Sequence, residues 1–141
     1  MLRSRILDAV ATGEIEALRM PIEWNETIPI FARGPEQPKA FSDAIEMLKK
    51  RSFDGKGRET LRILAALFEQ PYVKVTRGPV VTYVWPAFAY HQQAPDDPDA
   101  RLALLRSARF ANVVAADDAP LPRVERIGIG ADGTWHFFWS G

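Results

Sequence analysis

An α+β domain is what the sequence predicts, with N-terminal helices packed on a small antiparallel sheet of about four strands that ends in a C-terminal β-hairpin. Three observations predict it. Apolar residues recur at helical spacing through the first half, most densely in RETLRILAALFEQ (58–70), where they cover most of a helix's circumference. Two runs of β-branched and aromatic residues, YVKVT (72–76) and VVTYVW (80–85), flank the turn formers Arg77-Gly78-Pro79, which is a strand, turn and strand pattern. The last residues before the terminus read RVERIGIG, then ADG, then TWHFFWS, a second hairpin around Asp132-Gly133.

Taken in order, residues 4–19 predict two short helices broken near Gly13. Ile6, Leu7 and Val10 form one apolar stripe and Ile15 and Leu18 another. Met20-Pro21 stops the second, because the residue before a proline is driven out of the α region. From Pro21 to Pro38 there are four prolines, too many for regular structure. This long loop carries Trp24, Ile28, Ile30 and Phe31, so it is expected to pack down on the aromatic sheet.

Ser42-Asp43 followed by Glu46 marks a helix start that runs to about Arg51. The helix over 58–70 is the central one, with Leu61, Leu64 and Phe68 as core, and Pro71 ends it. Pro86 closes the strand 80–85. Asp97-Pro98 supplies an N-cap and first turn for a helix through Leu102 and Leu105 toward Val113, and 117–122 is a loop. The remaining strands fall at 123–129 and 134–139.

A chain of 141 residues is one domain, 1–141, with a core of its own. Hydrophobic content of 47% and charged content of 26% match a globular protein. Lys plus Arg and Asp plus Glu are each 18, so the basic surplus of a nucleic-acid module is missing. Lys49-Lys50-Arg51 with Lys56 and Arg58 reads as a solvated helix end, where cations suit the dipole. With no cysteine, thiol catalysis, disulfides and thiolate metal sites are excluded. The start lacks the apolar core of a signal peptide, and no run is apolar enough to span a membrane.

Gly128, Gly130 and Gly133 spell G-x-G-x-x-G, but the residues after Gly133 are TWHFFWSG. These are β-formers too few to make the helix on which a dinucleotide's pyrophosphate sits. The glycines have a packing role instead. A turn at Asp132-Gly133 puts Gly130 across from Trp135, Gly128 across from Phe137 and Arg126 across from Trp139. One face then shows Arg126, Trp135, Phe137 and Trp139 over two bare glycines. The other shows Ile127, Ile129, Thr134, His136 and Phe138.

His91 and His136 are the side chains that titrate near neutrality, so His136, on the aromatic hairpin, is the candidate acid or base. Neither histidine lies in a metal-ligand motif, and Asp96, Asp97, Asp99, Asp117 and Asp118 lack the order of a calcium loop. No serine lies in a G-x-S-x-G elbow. No metal site and no cofactor are expected.

At TRGPVVTYVWPAFA, GIGADGTWHFF and DGKGRETLRILAALFEQPYV the chain resembles a small family of uncharacterised bacterial proteins that pair a V-W-P-x-F segment with a C-terminal GIG-x-DGTWHFF motif. The resemblance covers roughly residues 5–141. It implies no activity and no catalytic residue, and it implies a bacterial-envelope or periplasmic location where a leader has been removed; without one the location is cytoplasmic.

Two functional readings follow. The first is a non-enzymatic binding or protein-interaction domain that presents Tyr83, Trp85, Arg126, Trp135, His136 and Trp24, with Arg77 nearby, because Tyr, Trp and Arg are the side chains interfaces concentrate. Its partner would be another protein or a small ligand. The second is a small enzyme or small-molecule binder with a pocket between the sheet and the 21–38 loop, in which His136 is the acid or base and Trp85 borders the groove.

Overall fold

The computed structural model describes residues 2–91, 95–115 and 123–140. Helices lead and the sheet follows. Helix α1 (Leu2–Thr12) ends at Gly13, and a 3₁₀ turn (Ile15–Leu18) runs directly into α2 (Arg19–Glu23). Pro21 therefore does not stop a helix. It sits in the first turn of α2, where backbone N–H groups have no intrahelical partner to lose, and Trp24 N donates to Met20 O at 3.0 Å.

Helix α3 (Phe41–Arg51) starts one residue before Ser42, with Ala40 as an N-cap that makes no side-chain bond. Its last turn holds Lys49, Lys50 and Arg51. Lys49 pairs with Glu16 at 3.2 Å and Glu46 at 3.3 Å, and the Arg19 and Lys49 bonds hold the Glu16 carboxyl below its ordinary pKa. Helix α4 (Arg58–Phe68) buries Leu61, Ile63, Leu64, Leu67 and Phe68, the expected core. One apolar cluster runs from Leu2 in α1 through α4 to Phe138.

The sheet has strands β1 (Val73–Arg77), β2 (Val80–Trp85), β3 (Arg126–Gly130) and β4 (Trp135–Trp139), in that spatial order and antiparallel throughout. Strand β3 begins later than expected because Glu125 turns into the interior, where its N–H donates to Ser107 O at 2.9 Å. Between β2 and β3 lie α5 (Ala87–Tyr90), α6 (Pro98–Leu105) and α7 (Phe110–Ala115). Asp97 caps α6 by accepting from Ala100 N at 3.0 Å. The helix expected to continue toward Val113 is instead broken at Ser107–Arg109, and that break places Arg109 inside the protein. The loop expected over 117–122 lies outside the described residues.

The 24–40 segment packs on the edge of the sheet. Asn25 brackets the Trp135 backbone, donating to its O at 2.7 Å and accepting from its N at 3.1 Å. Ile30 N donates to His136 O and Phe138 N to Ile30 O, both at 2.9 Å, so Ile30 makes a single parallel bridge on β4. Gln37 fixes the bend by accepting from Phe31 N and Ala32 N and donating to Pro29 O. Phe31 is fully buried and meets the Trp135 ring edge-on at 5.8 Å. An open strand edge is a site of unwanted pairing, and this segment closes it.

Candidate functional site

The hairpin sets what the sheet presents. Gly130 N donates to Thr134 O at 2.8 Å and Gly133 N to Gly130 O at 3.0 Å, so the loop is Ala131, Asp132 and Gly133, with Gly133 at φ 89°. Only glycine adopts that conformation without strain. Asp132 accepts from Thr134 N at 3.0 Å, and this bond holds its carboxyl below the ordinary pKa, with a smaller contribution from the charge of His136.

A three-residue loop shifts the pairing by one, and a bulge restores it. Arg126 faces Trp139, Ile127 faces Phe138 and Gly128 faces Phe137, but Ile129 faces Trp135. His136 is the extra residue on β4. The expected facing of Gly130 with Trp135 is therefore incorrect. The bulge turns Trp135 onto the core face, where it is 1% exposed and donates Nε1–H to Phe137 O at 3.2 Å. It turns His136 out beside Gly130. A Cβ on Gly130 would lie 2.6 Å from His136 Nε2 and 2.7 Å from Asp132 Oδ1, so imidazole and carboxylate both crowd the space above that glycine.

The outer face of the sheet carries a groove of about 330 Å³, walled by Val75, Val84, Tyr90, Phe137 and Trp139, with Arg77 and Arg126 at its margin. Among the described residues, no carboxylate lines it. Val84 is buried, Val80 is half exposed, and Phe137 and Trp139 are partly exposed. Phe137 lies directly on Gly128, where a Cβ would come within 2.2 Å of the ring. The missing side chain thus shapes the floor of the groove. Burial lowers the pKa of the Arg126 guanidinium, and the neighbouring Arg33 lowers it further.

The sequence candidates do not converge on one place. Arg126 and Arg77 reach the outer groove. Tyr83 and Trp85 point to the core face, where Trp85 meets Phe68 at 5.1 Å and Tyr72 at 5.3 Å, and Tyr83 meets Tyr72 at 5.4 Å. Trp135 is buried with them. Trp24 is 54% exposed and does not line the outer groove: it lines a cleft of about 260 Å³ between α1 and α2, with the Arg5 guanidinium 4.2 Å over its ring. His136 and Trp85 lie on opposite faces of the sheet, so among the described residues the two do not border one groove. His91 follows α5 and is exposed. Among the described residues, no group of three His, Asp or Glu side chains is arranged to hold a metal ion.

A second set of residues escaped the sequence reading. Arg109 is 7% exposed and Glu125 1%. Arg109 Nε donates to Glu125 Oε1, and its Nη1 donates to Thr60 Oγ1 at 3.0 Å and to Arg51 O at 3.4 Å, with Glu59 Oε1 at 3.5 Å. Glu59 also accepts from Phe53 N at 3.2 Å and Phe110 N at 3.1 Å. Two polar atoms of this network, Arg109 Nη2 and Glu125 Oε2, have no hydrogen-bond partner among the described residues. The signal available in sequence was weak: RSARF extends a helical pattern, and only the charge on Arg109 between Ala108 and Phe110 hints at an interior role.

No family model, curated protein or solved structure matches the chain, so the bacterial-family likeness of the V-W-P-x-F and GIG-x-DGTWHFF segments has no counterpart among those comparisons.

Proposed function

We propose that the chain is a non-enzymatic binding domain whose outer sheet face takes a small ligand with an apolar body and an anionic end. The observation that carries this reading is the groove of Val75, Val84, Phe137 and Trp139 over Gly128, with Arg77 and Arg126 and, among the described residues, no carboxylate at its margin. Ligand sites are concave and mostly apolar with a few polar groups that orient the ligand, and this groove has that composition. Arg77 at the margin supplies the charge complement. The bacterial-envelope location implied by the family likeness belongs to the same proposal.

The test uses anilinonaphthalene sulfonate, an apolar anion that fluoresces when bound. Trp139→Ala and Arg77→Glu should each weaken its binding with little change in melting temperature, while Trp24→Ala leaves binding intact. Equal binding by all three variants would contradict the proposal.

A second reading, acid or base catalysis by His136, is favoured by one observation: the bulge sets its imidazole beside the Asp132 carboxylate above Gly130. It takes second place because His136 does not line the outer groove.

A further inference from the structure

We infer that the cavity on the other side of Trp139 is an oxyanion-binding site, built for a small metabolite carrying a carboxylate or phosphate. This cavity is distinct from the outer groove. It measures about 350 Å³ and is lined by Arg33, Arg51, Arg109 and Arg123, with Glu36 and Glu125 as its carboxylates. Among the described residues, and even with Glu59, which holds Arg109 from a neighbouring position, cations exceed carboxylates. Like charges brought together disfavour one another unless a counter-ion sits between them.

Each arginine is placed by a different contact. Arg33 lies 4.7 Å over the Trp139 ring, a cation–π contact that orders the side chain while leaving its N–H groups available. Arg51 is half-buried, and burial pulls its pKa below the ordinary value; the attractions of Glu125 and Glu36 oppose this, and Arg109 adds to it. Arg109 is locked by its bonds to Glu125 and Thr60. Arg123 is exposed at the mouth.

The second line of evidence is independent of the charge count. Arg109 Nη2 is a buried donor and Glu125 Oε2 a buried acceptor, each without a hydrogen-bond partner among the described residues, on side chains that both line the cavity. Buried polar atoms are almost always satisfied, and a turn of the Arg109 and Glu125 side chains toward an oxyanion that carries a donor beside it, such as a hydroxy acid or a protonated phosphate, gives both atoms the partner they lack. Arginine's planar fork suits both anions.

The experiment titrates the full chain with malate and, separately, with inorganic phosphate, against chloride at matched ionic strength, followed by calorimetry and by the guanidinium NMR signals of Arg51 and Arg109. The expected result is saturable binding of at least one oxyanion with shifts in both guanidinium signals; whichever of malate or phosphate binds tighter identifies the anion class. Arg33→Gln with Arg123→Gln, at exposed positions, should weaken binding by about tenfold or more, and Arg77→Glu, on the outer groove, should leave it unchanged. Unsaturable binding that chloride matches would overturn the inference, as would binding indifferent to the Arg33 and Arg123 substitutions. Loss of oxyanion binding in Arg77→Glu alone would place the anion in the outer groove and overturn it as well.

Discussion

A guanidinium sealed between two glutamates is stable only while its charges remain paired. Removing one partner of a buried ion pair leaves an uncompensated charge in the interior. Glu125→Ala is therefore predicted to lower the unfolding free energy by about 3–5 kcal/mol, measured by chemical denaturation. Arg109→Met with Glu125→Leu should cost clearly less than the single Glu125 change, because it removes both charges. A double variant as unstable as the single would show that the pair acts through packing alone. Gly128 is the second decisive residue. With a Cβ 2.2 Å from the Phe137 ring, Gly128→Ala must displace that ring, at about 1–3 kcal/mol, and should disturb the outer groove along with stability. An unchanged melting temperature would mean that the ring does not rest on Gly128.

At the scale of elements, the strands and central helix were legible because period-two and helical periodicity survive in a single sequence. Strand β2 and the start of α4 fall where the pattern puts them. The hairpin facing was legible only in part. Ala131-Asp132-Gly133 suits a two-residue or a three-residue loop equally, and the choice decides whether Trp135 or His136 faces the core. The bulge at His136 compensates the odd loop length, and nothing local announces it. The split between α6 and α7 was hidden for a similar reason, since Ala108 and Arg109 are good helix formers and only a distant Glu125 pulls the chain out of register. The Asp132 carboxyl is held down by its bond from Thr134, so its contribution is present above the ordinary carboxylate pKa and is lost as pH falls through the depressed one. An NMR titration should find Asp132 titrating below 3.8, with the Thr134 amide moving in step. A value at or above 3.8 would remove the cap from the account of the turn.

Across the whole molecule, helices cover one face of the sheet and the 24–40 segment covers its edge at β4. Leu64 is fully buried in the shared cluster, and Leu64→Ala should cost about 2–5 kcal/mol, read from denaturant unfolding; an unchanged midpoint would place α4 at the periphery. The aromatic content that drew attention in the sequence is divided by this layout. Trp85, Trp135 and Phe138 build the core, whereas Phe137 and Trp139 remain on the outer face. Alternation alone could not separate these roles, because both faces of the hairpin are apolar in sequence and the sorting depends on which face the helices take.

The central claim, that the outer face is where a ligand binds, is tested most directly by mapping amide chemical-shift changes as anilinonaphthalene sulfonate is added to the isotope-labelled chain. The account predicts a compact set of shifts at Val75, Thr82, Val84, Gly128, Phe137 and Trp139. Shifts centred on Trp24 and α1, or spread evenly through the core, would contradict it.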